Sequence, residues 1–160
     1  TGDSEMQYQL TAKPIDGLSL AADYFTAEGT TGTHAQIAEA GGWAANYAFG
    51  NFEIGYKERY HAPAIGDKIS AGGHSYTLTG MGAEVALNDA LSISYQDYEN
   101  TYKKRGSETG DGITQDASGF QAAYTMGGAT LRISDVSVDN SGGTSGDSED
   151  RTEISLLMAF

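Results

Sequence analysis

The stretch that decides the fold is R151-T152-E153-I154-S155-L156-L157-M158-A159-F160, where the chain ends. Reading back by twos gives Phe160, Met158, Leu156 and Ile154, with Ala159, Ser155 and Glu153 between them. Strict alternation puts successive side chains on opposite faces, so this is an amphipathic strand. Chain ends usually fray and are the easiest place to dispense with hydrophobic residues. A strand of this kind ending on an aromatic therefore implies that one face has something apolar to meet.

Working outward, the same period recurs along the chain. Met6, Tyr8, Leu10 and Ala12 alternate with Gln7, Gln9, Thr11 and Lys13, and P14-I15-D16-G17 signals a turn. Leu18, Leu20, Ala22 and Tyr24 share a face, as do Trp43, Ala45, Tyr47 and Phe49. Phe52, Ile54, Tyr56 and Tyr60 alternate with Glu53, Lys57 and Arg59. Further sets are Met81, Ala83, Val85 and Leu87; Leu91, Ile93 and Tyr95; Phe120, Ala122, Tyr124 and Met126; and Leu131 with Ile133. Helical spacing is nowhere sustained at comparable length. The pattern predicts an all-β chain of nine antiparallel strands. Alternation slips near Ala38 and across 135–138, which reads as bulges or strand ends.

The connections sort by length. Short links fall at 14–17, 50–51, 88–90 and 127–129. Long polar links fall at about 27–34, 62–73, 104–116 and 139–150. Short and long alternate strictly, as in a transmembrane β-barrel with tight turns at one end and loops at the other. Aromatics cluster near the strand ends, where such a barrel carries girdles. The competing fold is a soluble β-sandwich, whose core face should be denser in Val, Ile and Leu.

Composition sets outer limits. The 160 residues suit one domain and include 22 Gly, 10 Tyr and only 2 Pro. No apolar run is long enough for a transmembrane helix. The opening T1-G2-D3-S4-E5-M6-Q7-Y8-Q9-L10 has neither a basic nor an apolar leader region, so no signal peptide is read in it. With no cysteine, disulfides, thiolate nucleophiles and Cys-based zinc sites are excluded. A net charge of −13 argues against a nucleic-acid partner.

At this point the residues resemble a family. P14–F25, G80–Y95 and G119–S134 are similar to the strand, tight turn, strand hairpins of Gram-negative bacterial outer-membrane general porins. I154-S155-L156-L157-M158-A159-F160 resembles the closing strand of that family. The resemblance implies an outer-membrane location and passive diffusion of ions and small hydrophilic solutes. It also implies a homotrimer surrounded by lipid bilayer and lipopolysaccharide. In that family Phe160 and the alternating Ile154, Leu156 and Met158 would be the signal read by the barrel-assembly machinery.

The strand number matters. Single-chain bacterial barrels have even counts, and with short turns inside, the first of nine strands runs from outside to inside. At roughly 18 residues per strand, a sixteen-stranded porin needs roughly 285 residues, so the chain is expected to be the C-terminal portion of a longer barrel. Its remaining N-terminal half is then a partner. The alternative is a complete eight-stranded barrel without a pore, serving as anchor, adhesin or structural element.

Alternation places Lys13, Asp23, Glu53, Lys57, Arg59, Glu84 and Arg132, with Gln96 and Gln121, on the face that would line a pore. The resemblance implies a row of basic residues on such a wall, for which Lys13, Lys57, Arg59 and Arg132 are the candidates. Taken singly, each reads more simply as an ordinary solvated charge. The acidic excess predicts a modest cation preference. No enzyme is expected, since no Ser-His-Asp or Walker pattern can be read. Nor is any cofactor expected. Asp139, Asp147, Glu149 and Asp150 in the loop 139–150 could hold Ca²⁺ against lipopolysaccharide phosphates, although the loop lacks EF-hand spacing and reads more simply as a solvated acidic loop. Lys103, Lys104 and Arg105 could meet lipid phosphates. His34, His61 and His74 show no metal-ligand spacing.

Overall fold

Each hairpin is set by local chemistry before any packing. A computed structural model describes residues 4–28, 32, 34–68, 72–105 and 112–158. It contains β1 (Glu5–Ala12), β2 (Leu18–Ala27), β3 (Ala38–Phe49), β4 (Phe52–Ala62), β5 (Gly73–Ala86), β6 (Leu91–Arg105), β7 (Thr114–Met126), β8 (Ala129–Asp139) and β9 (Ser148–Met158). A single 3₁₀ turn at Ser141–Gly143 interrupts the last long connection. Gly17 closes the first turn at φ 78°, a conformation that side chains disfavour. The Ala48 amide donates to its carbonyl at 2.9 Å. At the third short turn, Asn88 Oδ1 accepts from the Ala90 and Leu91 amides at 2.9 and 3.0 Å, an Asx turn.

The nine strands form one antiparallel sheet in chain order, β1 to β9. No ladder joins β1 to β9 among the described residues, so the sheet is open. The expected strand number is therefore present, and the closed ring is not. The eight-stranded alternative finds neither its count nor its closing ladder here. Phe160 lies outside the described residues, and β9 is followed to Met158.

Near Ala38 the slip marks a strand end, as read: β3 starts there, paired with Ala27. The reading across 135–138 needs correction, because β8 runs unbroken through Asp135–Val138, paired with Thr152–Glu149, and holds no bulge. β5 and β6 also extend further, to Gly73 and Arg105, into what the sequence suggested were loops. The cause is common. Toward the long connections one face stops being apolar, so alternation fades while the ladder continues.

That face has a definite margin. Counting from the short turns, its first three or four residues on every strand are apolar or aromatic. They run from Ala12, Leu10 and Tyr8 on β1 to Met158, Leu156 and Ile154 on β9. The next is polar on β4 to β9: Glu58, Thr79, Asp97, Ser118, Asp135 and Thr152. Aromatics gather at both margins. Tyr47, Phe49 and Phe52 stack at 5.5 Å centroid spacing beside the turns. Tyr24, Trp43, Tyr95 and Phe120 lie near the other margin. There Tyr24 Oη donates to Glu39 Oε1 at 2.9 Å and Tyr95 Oη to Asp97 Oδ2 at 3.3 Å. Each such ring keeps its body in the apolar band and its hydroxyl on the polar side.

The band does not follow the ladder. One row of directly paired residues begins Ala12, Leu20, Ala45, Tyr56, Met81 and ends Asp97, Ser118, Ser137, Asp150. It starts at the turn end of β1 and finishes eight residues above Met158, so the short turns drop by one residue per strand. With ~3.3 Å per residue and ~4.8 Å between strands, the line of turns slopes about 35° to the rows. The apolar margin keeps the same slope.

Almost nothing is enclosed. Among the described residues Ala62 is the one buried apolar side chain, while Leu20, Trp43, Ile54, Leu131, Leu156 and Met158 are exposed. The chain presents 10719 Å² of surface, against roughly 7,700 Å² for a folded monomer of this mass. This sheet has a hydrophobic face and no core beneath it.

Candidate functional site

The opposite face carries the polar residues. Ladder register puts Asp23, Glu53, Lys57, Arg59, Glu84, Gln96, Gln121 and Arg132 together on it. Lys13 lies just beyond β1, beside a depression that Thr11, Ser19 and Asn46 also line. The sequence assigned all of these to one face, and the register agrees for the eight that lie on strands.

They do not form one basic row. Lys57 and Arg59 are neighbours on β4, while Arg132 is four strands away on β8 and Lys13 is at the β1 turn. Arg59 Nη2 meets Asp23 Oδ2 at 3.4 Å, across the intervening β3. Both groups are largely exposed, so the pair contributes little stability and mainly fixes where the two charges stand. Arg151 and Glu153, which sequence reasoning passed over, pair at 2.7 Å on the same face. Alternation outward from Ser155 would have found them.

The centre of the face is an open depression of about 270 Å³ between β3 and β6. Asn46, Glu53, Gly55, Lys57, Gly80, Gly82, Glu84, Gln96 and Tyr98 border it. Its long side chains lie flat because neighbouring strands offer glycine. A Cβ on Gly80 would sit 2.5 Å from Tyr98 Cδ1 and 3.1 Å from Lys57 Cε. A Cβ on Gly55 would meet Asn46 Oδ1. The Tyr98 ring therefore spreads over Gly80, and Lys57 Nζ rests 4.5 Å from its centroid, a cation–π contact. Tyr98 Oη donates to Gln96 Oε1 at 2.7 Å. Tyr98 was missed because the predicted strand ended at Gln96; continuing the period by one more step would have reached it.

A second cluster stands at the long-connection end of this face. His61, Tyr76 and Tyr102 follow one another across β4, β5 and β6, with His74 packed at 5.4–5.5 Å against Tyr76 and Tyr102. The His74 Nδ1 lies 3.1 Å from the Gly72 carbonyl.

The acidic loop takes another form than expected. Asp139 ends β8, and Glu149 and Asp150 open β9 on opposite faces. Asn140, at φ 54°, pins the connection instead. Its Nδ2 donates to the Thr114 carbonyl at 2.8 Å, and its Oδ1 accepts from the Gly146 amide at 2.9 Å. Among the described residues no three His, Cys, Asp or Glu side chains come together to hold a metal ion.

Comparison with protein-family models, with curated proteins and with solved structures finds no match for this chain.

Proposed function

We propose that the chain is part of an outer-membrane diffusion porin, a passive channel for ions and small hydrophilic solutes. The observation that carries this is the level apolar band. Its margin runs parallel to the line of short turns and oblique to the hydrogen-bonded rows, at about 35°. Strands of membrane barrels tilt by about 35–45°. A bilayer imposes a flat boundary on tilted strands; a soluble core imposes none. The aromatic margins, with hydroxyls turned to the polar side, suit the two lipid interfaces.

Edge direction bears on strand number. β1 and β9 both run toward the short-turn end. Antiparallel closure of both edges therefore needs an odd number of additional strands, and seven would give sixteen. Barrels of that size keep an aqueous lumen, which the polar, glycine-rich face would line. A non-conducting small barrel fills its interior with packed side chains, whereas this face is thin and polar. In this reading lipopolysaccharide surrounds the acidic margin above the band and the assembly is a homotrimer. The outward Ile154, Leu156 and Met158 are what the assembly machinery would meet.

The test is reconstitution of the native barrel in planar bilayers together with liposome swelling in small sugars. Stepwise conductance and size-limited swelling are expected. Insertion without either would overturn the channel and leave an anchoring or structural barrel. Recovery of the native protein in an aqueous fraction would overturn the membrane reading.

A further inference from the structure

One patch of the polar face is left electrically open. Glu53 on β4 and Glu84 on β5 stand directly opposite each other, an arrangement that costs stability in a ladder. Neither carboxylate has a hydrogen bond or ion pair among the described residues. Four positions along β4, Lys57 has no counter-ion among the described residues; its ammonium is held by the Tyr98 ring. All four side chains border the same depression of about 270 Å³, whose floor is Gly55 and Gly82. An anionic end and a cationic end thus face one open hollow.

The spacing selects the ligand. Glu53 and Lys57 are separated by ~13 Å along the strand, before their side chains reach inward. A chain of two or three residues spans ~7–10 Å. Among the described residues no third acid joins the two carboxylates to hold a metal ion. An ammonium group, with its three donors, is served by this pair. The Gln96 amide nitrogen, whose oxygen already accepts from Tyr98, remains a donor to a peptide carbonyl.

We infer that this depression binds short zwitterionic peptides, with the carboxylate at Lys57 and the ammonium between Glu53 and Glu84. The inference rests on the reading of this face as a channel wall and names the solute class that the wall would favour.

Triglycine is the probe, added to the native barrel in planar bilayers, with the N-acetylated triglycine amide as its uncharged counterpart. Triglycine should reduce the ionic current saturably, and the capped analogue should not. Lys57→Gln should raise the half-saturating concentration by about tenfold, as should the joint change Glu53→Gln with Glu84→Gln, while Lys57→Arg retains binding. The effect should weaken with salt, since the Debye length falls to about 3 Å at 1 M. Equal saturation by both peptides, or none by either, would overturn the site. If the barrel inserts and conducts nothing, the channel reading fails. Titration of ¹⁵N-labelled protein with triglycine then decides the site. Shifts at the Gly55 and Gly82 amides would support it, and their absence would overturn it.

Discussion

Tyr98 can lie flat only because Gly80 has no side chain beneath it, and Lys57 is placed by that ring. Gly80→Ala should lift the ring and release the ammonium. Cation–π contacts at exposed sites are worth ~0.5–1 kcal/mol, so labelling of Lys57 by an amine-reactive probe should quicken about two- to fivefold. Unchanged labelling, followed by mass spectrometry with Lys13 as internal reference, would refute the role of the ring. A second residue works through the backbone. Asn140 holds a left-handed conformation and two hydrogen bonds that tie the β8–β9 connection to Thr114 and Gly146. Asn140→Ala should cost about 1–3 kcal/mol, concentrated in that connection. Proteolysis within 141–147 should accelerate strongly, and Asn140→Gly should recover only the backbone part. Equal cleavage of all three proteins would show that the side chain pins nothing.

At the scale of strands, position within the band should decide the cost of a charge. Ile54 lies within the band on β4, and Thr79 lies beyond its margin on β5. Ile54→Arg should lower stability in lipid vesicles by ~2–4 kcal/mol and Thr79→Arg by ~0–1 kcal/mol. The denaturant midpoint of each folded protein measures this, and equal costs would abolish the band's meaning. The same geometry explains what could be read from sequence. Period-two alternation was strong where one face is apolar, so all nine strands and the face of every candidate charge on them were legible. It failed at Ala38, at Gly73–Gly80 and beyond Gln96, where both faces are mixed and only the ladder keeps the strand. The site was half legible. Alternation says that Glu53 and Glu84 share a face, but only the register makes them direct neighbours. Likewise no pattern in the chain announces that Tyr98 reaches across Gly80 to Lys57.

Across the whole sheet, charge is sorted by face, and in the proposed channel this would govern selectivity. The chain has 22 acidic and 9 basic residues. On the strands of the polar face the signs balance: Glu5, Asp23, Glu53, Glu84, Glu149 and Glu153 against Lys57, Arg59, Lys104, Arg132, Arg151 and the adjoining Lys13. Much of the excess stands on the other face above the apolar band, at Glu39, Glu58, Asp97, Glu99, Asp116, Asp135, Asp139 and Asp150. If the polar face lines the channel, those eight carboxylates point away from the permeating ions. The remaining excess lies in the connections, where it acts over roughly 8 Å at physiological salt. The wall is then neutral overall and the connections supply a weak cation preference that fades as salt rises. Reversal potentials under a salt gradient, taken at low and high ionic strength, measure it. Glu58→Gln with Asp135→Asn should leave the reversal potential unchanged, while Glu53→Gln with Glu84→Gln should shift it toward anions. A shift from the first pair as large as that from the second would mean that the faces have been assigned the wrong way round. The apolar band would then face water, and the membrane reading would fall with it.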